Sequence, residues 1–339
     1  MKTDLSNIPF DQELSPGAHN AVFVCLKVQP SEKVTVITDR ACEEIAASLV
    51  AELNACGCNY QTFLLEELAP RPLIDMPQAV LDDMATSQVS IFAVQAQANE
   101  LRTRMQMCAV VNEKKLRHAH MVNIEKKIML AGMRADFAKV DELTLRVMNI
   151  VNKAQSIHAV TPAGTDIRAR LTPEYKWIKT SGIISRDKWG NLPGGETFTS
   201  PLEVNGTFVV DGVVGDYLCA KYGDLKATPL TLTVERNRLT NAFCDNKELQ
   251  EEFWRYTHRD ENSDRVGEFA IGTNIACQDV VGNILQDEKI PGVHMAFGDP
   301  YGAHTGAQWT STTHIDVVGR RFDIWADERQ IMSEGQFLV

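Results

Sequence analysis

The 339-residue chain reads as two domains. An α/β domain with a parallel sheet spans residues 1–155, and a β-rich, α+β domain spans residues 156–339. Three observations predict this. Strand-like and helix-like segments alternate through the first half. After Ala154 helices become scarce, and short apolar runs follow one another between Gly, Pro and Asn turns. The length itself suits two domains of about 100–200 residues each.

In the first half, VTVIT at 34–38 is a β-branched apolar run suited to a strand. Asp39 follows as a candidate N-cap for a helix through ACEEIAASLVAELNACG, which keeps helical periodicity and stops at a glycine. NYQTFLLEE and SQVSIFAVQ read as strands, 75–85 as a helix, and LRHAHMVN as a short buried strand. IEKKIMLAGMRADFAKVDELTLRVMNIVNKAQ reads as helix through most of its length. Strands alternating with helices imply a parallel sheet with helices on both faces. VITDRACEE, after the first strand, contains no glycine, so neither a dinucleotide fingerprint nor a P-loop is present. In the second half SIHAVTP, TDIRARLT, EYKWIKTSG, GTFVVDGVV, ATPLTLTVERNRLT and HIDVVGRRFDIWAD are strand-like, and one helix is predicted over 246–257.

Composition removes several function classes. Lys and Arg number 34 against 45 Asp and Glu, a net charge of −11, which argues against nucleic acid as a partner. No apolar run of roughly 18 residues exists, so no membrane span is expected. MKTDLSNIPFDQELSPGAHN lacks the apolar core of a signal peptide, which favours the cytoplasm. The eight cysteines are scattered, and in a reducing compartment they read as buried thiols. Cys56-Gly57-Cys58 is the one close pair, with no second pair or nearby His to make a zinc site.

Ligand-type residues gather late in the chain. In THIDVV, His314 and Asp316 leave the same face of a strand while Ile315 and Val317 leave the other. In GVHMAFG, His294 shares a face with Ala296, and in GEFAIG, Glu268 shares a face with Ala270. Small neighbours leave space for an ion or substrate. In GGETF, Glu196 follows two glycines that would let the backbone approach a bound group closely. Glu196, Glu268, His294, His314 and Asp316 thus form a mixed carboxylate and imidazole set. Such a set suits Zn²⁺, Mn²⁺, Co²⁺ or Fe²⁺ rather than a thiolate-type structural zinc. It is also large enough for two ions sharing a bridging carboxylate. Asp299, Asp211 and Asp216 read as turn residues, and no role is assigned to Asp166. His118 and His120 read as buried structural residues, and His258 and His304 as reserve ligands at most.

The segments NLPGGETFTSP, GEFAIGTN, LQDEKIPGVHMAFGDPYG and STTHIDVV, in that order, resemble the aminopeptidase T-like metallopeptidases, also called thermophilic metallo-aminopeptidases. AGTDIRARL at 163–171 resembles that family's domain-entry motif, and GAHNAVFVCLKVQPSEKVTVITD resembles its α/β half more diffusely. The resemblance covers most of residues 155–339. It implies two divalent ions, Zn, Co or Mn, in the β-rich domain. Glu196 matches the first metal carboxylate, Glu268 the second, His294 the first histidine ligand, and His314 and Asp316 the closing pair. Tyr301 matches a tyrosine beside the metals. The resemblance also implies a small peptide or amide substrate and a homodimer.

Two departures bear on function. The chain is shorter than typical members, with a compact connection from Tyr301 to His314. A related branch opens dihydroxypyridine rings with dioxygen at a single Fe(II) and carries His where this chain has Glu268. The expected chemistry is therefore hydrolysis by a metal-activated water, with Glu196 or Glu268 moving the proton and Tyr301 donating to the oxyanion. The Fe(II) dioxygenase is the alternative.

Overall fold

The computed structural model describes residues 3–97 and 99–339. Two compact units emerge: residues up to Ala138 with Gly182–Gly194, and Lys139–Ser181 with Gly195–Val339. The division differs from the boundary expected near residue 155. The helix Phe137–Val151 runs through that region and buries Leu143, Val147 and Val151 in the second unit's core. Conversely, the two-residue strand Gly190–Asn191 pairs with Arg117–Val122 and so belongs to the first unit.

The first unit holds a five-stranded sheet in the order Asn59–Leu64, Lys33–Thr38, Val89–Val94, Arg117–Val122, Gly190–Asn191. Every pairing in it is parallel. Val89–Val94 is buried throughout, as a strand covered on both faces must be. The helix Glu43–Cys56 ends at Gly57 in the left-handed region (φ 73°), the expected stop. Asp39 is not its N-cap. Cys42 holds that position, and the Asp39 carboxylate accepts from the Cys42 N–H while it pairs with the buried Arg71.

The long helix expected from 124 onward is interrupted. A turn at Lys126–Met129 and a 3₁₀ turn at Gly132–Arg134 precede the helix that starts at Phe137. The Asn20 side chain donates to the Met133 and Ala135 carbonyls, which takes those acceptors out of a helical ladder. A helix at Leu101–Lys114 goes unread in the sequence. It buries only Thr103, Met107 and Val111, too narrow a stripe to show as amphipathic.

The second unit is built from two antiparallel sheets. One has eight strands, in the order Arg238–Phe243, Leu230–Glu235, Glu203–Val210, Asp166–Arg170, Ser156–Val160, Asp323–Ala326, Arg329–Ser333, Gln336–Phe337. The other has five, in the order His314–Val318, Gly292–Gly298, Val266–Gly272, Glu196–Thr199, Ile178–Lys179. A single apolar core joins them. Val204, Phe208, Leu232 and Ile324 come from the larger sheet, and Phe269, Ile271, Met295, Phe297, Ile315 and Val317 from the smaller. The predicted helix forms over Lys247–Tyr256, with Asn246 capping it through the Leu249 N–H. No helix among the described residues is long and apolar enough to cross a membrane. All eight cysteines are free thiols.

His118 and His120 lie inside the first unit. Ser90 Oγ is 2.8 Å from His118 Nδ1, and His118 Nε2 is 3.1 Å from His120 Nδ1, beside the Trp189 ring. Burial, and then the neighbouring His120, holds His118 well below the usual imidazole range. Burial, and then Arg104, lowers His120 to about 3. Both are neutral when folded and charge only on unfolding below the ordinary value. They therefore contribute stability above pH 6.5 that is lost as pH falls toward 3. For His120 this amounts to about 1.4 kcal/mol per pH unit in that window. Urea unfolding at pH 7 and pH 5 should show His120→Phe losing about 2 kcal/mol less than the wild type over that step. Equal losses would mean these imidazoles are not neutral in the fold.

Candidate metal centre

The five-stranded sheet of the second unit brings the candidate ligands together through its register. One of its faces is committed to the core by Phe269, Ile271, Met295, Phe297, Ile315 and Val317. Period-two alternation then sends Glu268, His294, His314 and Asp316 to the opposite face. On that face each ligand stands across from a residue with little or no side chain. Glu196 is opposite Gly272, Glu268 and Asp316 are both opposite Ala296, His294 is opposite Ala270, and His314 is opposite Gly298. The polar side chains can therefore lean toward one another without collision.

Distances confirm the convergence. His294 Nε2 lies 3.3 Å from Glu196 Oε2 and 3.4 Å from Glu268 Oε1. His314 Nε2 lies 3.7 Å from Glu268 Oε2 and 3.5 Å from Asp316 Oδ1. Glu268 thus offers one oxygen to each imidazole, the posture of a bridging carboxylate. Among the described residues, three groups have ligand atoms close enough to share an ion: Glu196–Glu268–His294, Glu268–His314–Asp316 and Glu288–His294–Asp316. All five ligands expected from the sequence are in this cluster. His258 and His304 belong to none of these groups; His258 stacks on Trp254 and bonds its carbonyl. Asp166 pairs instead with His158, and Asp216 opens the helix Asp216–Tyr222.

Sequence reasoning missed two members of the site. Glu288 and Lys289 follow the short helix Ile284–Asp287 and reach back into the cluster. Lys289 Nζ donates to Glu196 Oε1 at 2.6 Å and also to Glu288 Oε1. It is 1% exposed. The only sequence signal was an acid-base doublet just before the His294 strand, which by itself looks like an exposed loop. Gly195, at φ 131°, lets the backbone pass Asn274, where a Cβ would lie 2.6 Å from the Asn274 Cβ. The close approach the structure shows is to the segment carrying Asn274.

The donors fit a divalent cation. The buried His294 turns Nε2 toward Glu196 and Glu268 at 3.3 and 3.4 Å, yet neither ring nitrogen makes a well-formed hydrogen bond, so the imidazole is aimed into the cluster without being satisfied there. His314 Nδ1 sits 3.0 Å from the Asp299 carbonyl, so that nitrogen donates and Nε2 is left as the ligand. Asp299 is a turn residue as expected: its carboxylate accepts from the Tyr301 N–H. Tyr301 adopts a left-handed backbone (φ 50°), and its ring centroid is 4.5 Å from that of His314.

Charge tells the same story. Burial disfavours ionised imidazole, yet the Glu196 and Glu268 carboxylates outweigh it and raise His294 to about 10. Asp316 and then Glu268 likewise raise His314 to about 10 against its burial. Burial pushes Glu288 up to about 8, aided by Asp316 and Glu196 and opposed by Lys289. Glu268 is also raised, by burial and by Glu196. Glu196 is held low, because Lys289 and His294 overcome its burial. Desolvation, and then Glu268 and Asp316, keeps the Tyr301 phenol protonated. The two imidazoles are raised while Glu196 and Asp316 are held low, so protons on His294 and His314 answer the ionised carboxylates around them.

A buried carboxylate and imidazole cluster on an antiparallel sheet is a donor set suited to a divalent metal ion. The chain belongs to the thermophilic metalloprotease family (M29), whose profile matches residues 132–337. Among solved structures, wild-type AmpT from Thermus thermophilus is similar at 16% identity and TM-score 0.72, over 98% of this chain and 100% of that one. A 2,5-dihydroxypyridine dioxygenase from Pseudomonas putida KT2440 is similar at 14% identity and TM-score 0.69, over 98% and 99%. At such identities these two show a shared fold. No curated protein sequence matches the chain. Family membership makes this chain a metallopeptidase and implies a divalent metal cofactor.

Since both ligand imidazoles are raised to about 10, they are protonated at neutral pH without metal. Metal binding must displace those protons, so affinity should rise with pH until about 10. Titration calorimetry of metal-free protein with Zn²⁺ at pH 7, in buffers of different ionisation enthalpy, should show proton release. Buffer-independent heats would contradict the assignment of these imidazoles as ligands.

Proposed function

We propose that the protein is an aminopeptidase-like hydrolase that cleaves a peptide or amide bond beside a free α-amine. One observation carries this reading: in a family of metalloproteases, Glu268 divides its two oxygens between His294 and His314. Glu196, Glu268, His294, His314 and Asp316 would hold the metal, with Zn²⁺, Co²⁺ or Mn²⁺ suited to these donors. Two groups that share only Glu268 would take the two ions expected from the sequence if neither met a competing cation. A divalent ion held there supplies a water acidified toward neutral pH and polarises the scissile carbonyl.

The remaining work falls to the protein. Glu268 is the better proton carrier of the two carboxylates expected for that task. Glu196 Oε1 is already occupied by Thr180 Oγ1 at 2.7 Å and Lys289 at 2.6 Å. Glu268 would take the proton of the attacking water and return it to the leaving amine. Tyr301, protonated and tilted against the His314 ring, would donate to the developing oxyanion. Free carboxylate oxygens in the cluster would receive the substrate ammonium, which selects chain ends.

The dioxygenase reading draws on the shared fold of the dihydroxypyridine enzyme. Glu268 stands against it, since a third anionic ligand departs from the two-His-one-carboxylate iron site.

Aminoacyl p-nitroanilides offered to Zn²⁺-, Co²⁺- or Mn²⁺-loaded protein should be hydrolysed, and N-acetylated ones should not. Glu268→Gln should reduce turnover at least about 100-fold with the fold intact. Tyr301→Phe should cost about 100- to 1,000-fold in kcat, the effect of losing one oxyanion donor. Full activity in Glu268→Gln would refute the assignment. Ring opening of a dihydroxypyridine by iron-loaded protein, without amide hydrolysis, would favour the oxygenase.

A further inference from the structure

The buried Lys289 is not explained by the hydrolytic roles above. Its ammonium bridges Glu196 and Glu288, one carboxylate from each of two of the three ligand groups. Only Glu268–His314–Asp316 contains no carboxylate bound to it. The lysine is also fixed in place. Its N–H donates to the Gln286 carbonyl at 2.8 Å, and its own carbonyl accepts from Asn274 at 3.0 Å. Gly272, directly opposite Glu196, makes room for this loop: a Cβ there would lie 2.1 Å from the Ile290 carbonyl oxygen. The sheet position that clears space for the ligands thus also admits the segment that brings a permanent cation among them.

We propose that Lys289 stands in for the second metal ion, so that the centre holds one tightly bound divalent ion, at Glu268, His314 and Asp316. The inference rests on the metal-centre reading given above and fixes its stoichiometry. A second ion on Glu196 Oε2 and His294 would share a carboxylate with the ammonium and be repelled by it. The lysine neutralises Glu196 without exchange or loss, and a dialysable ion does not. A lysine that only tied loops together would leave the number of bound ions unchanged when replaced.

Metal-free protein is loaded with Zn²⁺ or Co²⁺, freed of excess by gel filtration, and its metal counted per chain by elemental mass spectrometry. The wild type is expected to retain one equivalent, and Lys289→Met two. Lys289→Gln keeps hydrogen-bond donors between the two carboxylates without the charge, and serves if the Met variant fails to fold. It too should retain two. A separate pair of variants leaves the lysine untouched: His314→Ala should retain none, and His294→Ala should retain one. Two equivalents in the wild type, one in both lysine variants, or loss of the ion in His294→Ala but not His314→Ala would overturn the proposal and leave the metallopeptidase reading intact. No metal in the wild type at any concentration tested would overturn that reading as well.

Discussion

Everything at the metal centre depends on one constraint: four carboxylates and two imidazoles crowd one face of a sheet whose other face is core. Such a concentration of ionisable groups out of water is unstable unless positive charge joins it. The structure meets the demand in three ways. The imidazoles take up protons, Glu268 and Glu288 resist ionising, and Lys289 supplies a covalently tethered cation. A divalent ion replaces the first two of these, and that is why the cluster reads as a binding site rather than as a salt-bridge network.

The backbone makes the crowding possible. Antiparallel pairing puts Gly or Ala across from each ligand, and the same strands drive Phe269, Met295, Phe297 and Ile315 into the core. A one-residue slip would send every ligand into that core. Packing on one face therefore guards the geometry of the other. The Asp299 turn adds a finer constraint, since its carbonyl sets the tautomer of His314 and its carboxylate holds the backbone of Tyr301.

The shared fold with both AmpT and a dihydroxypyridine dioxygenase places the functional distinction in the side chains. At this site Glu268 adds a carboxylate between the two imidazoles and Lys289 adds a cation.

Residues of strong local pattern were legible in the sequence. His314-x-Asp316, His294 beside Ala296 and Glu268 beside Ala270 announced themselves, because period-two alternation is a local property of a strand. The parallel sheet, the antiparallel half and the Gly57 helix stop were legible for the same reason. Glu288 and Lys289 were not, because an acid-base doublet in a loop looks the same whether it is solvated or buried. The use of Gly195 to pass Asn274, the break in the helix before Phe137, and the return of Gly190–Asn191 to the first sheet were hidden likewise. Each depends on a partner far away in the chain. The sequence alone determined which side chains share a strand face; only the tertiary structure decided which strands lie side by side, and therefore which charges must answer one another.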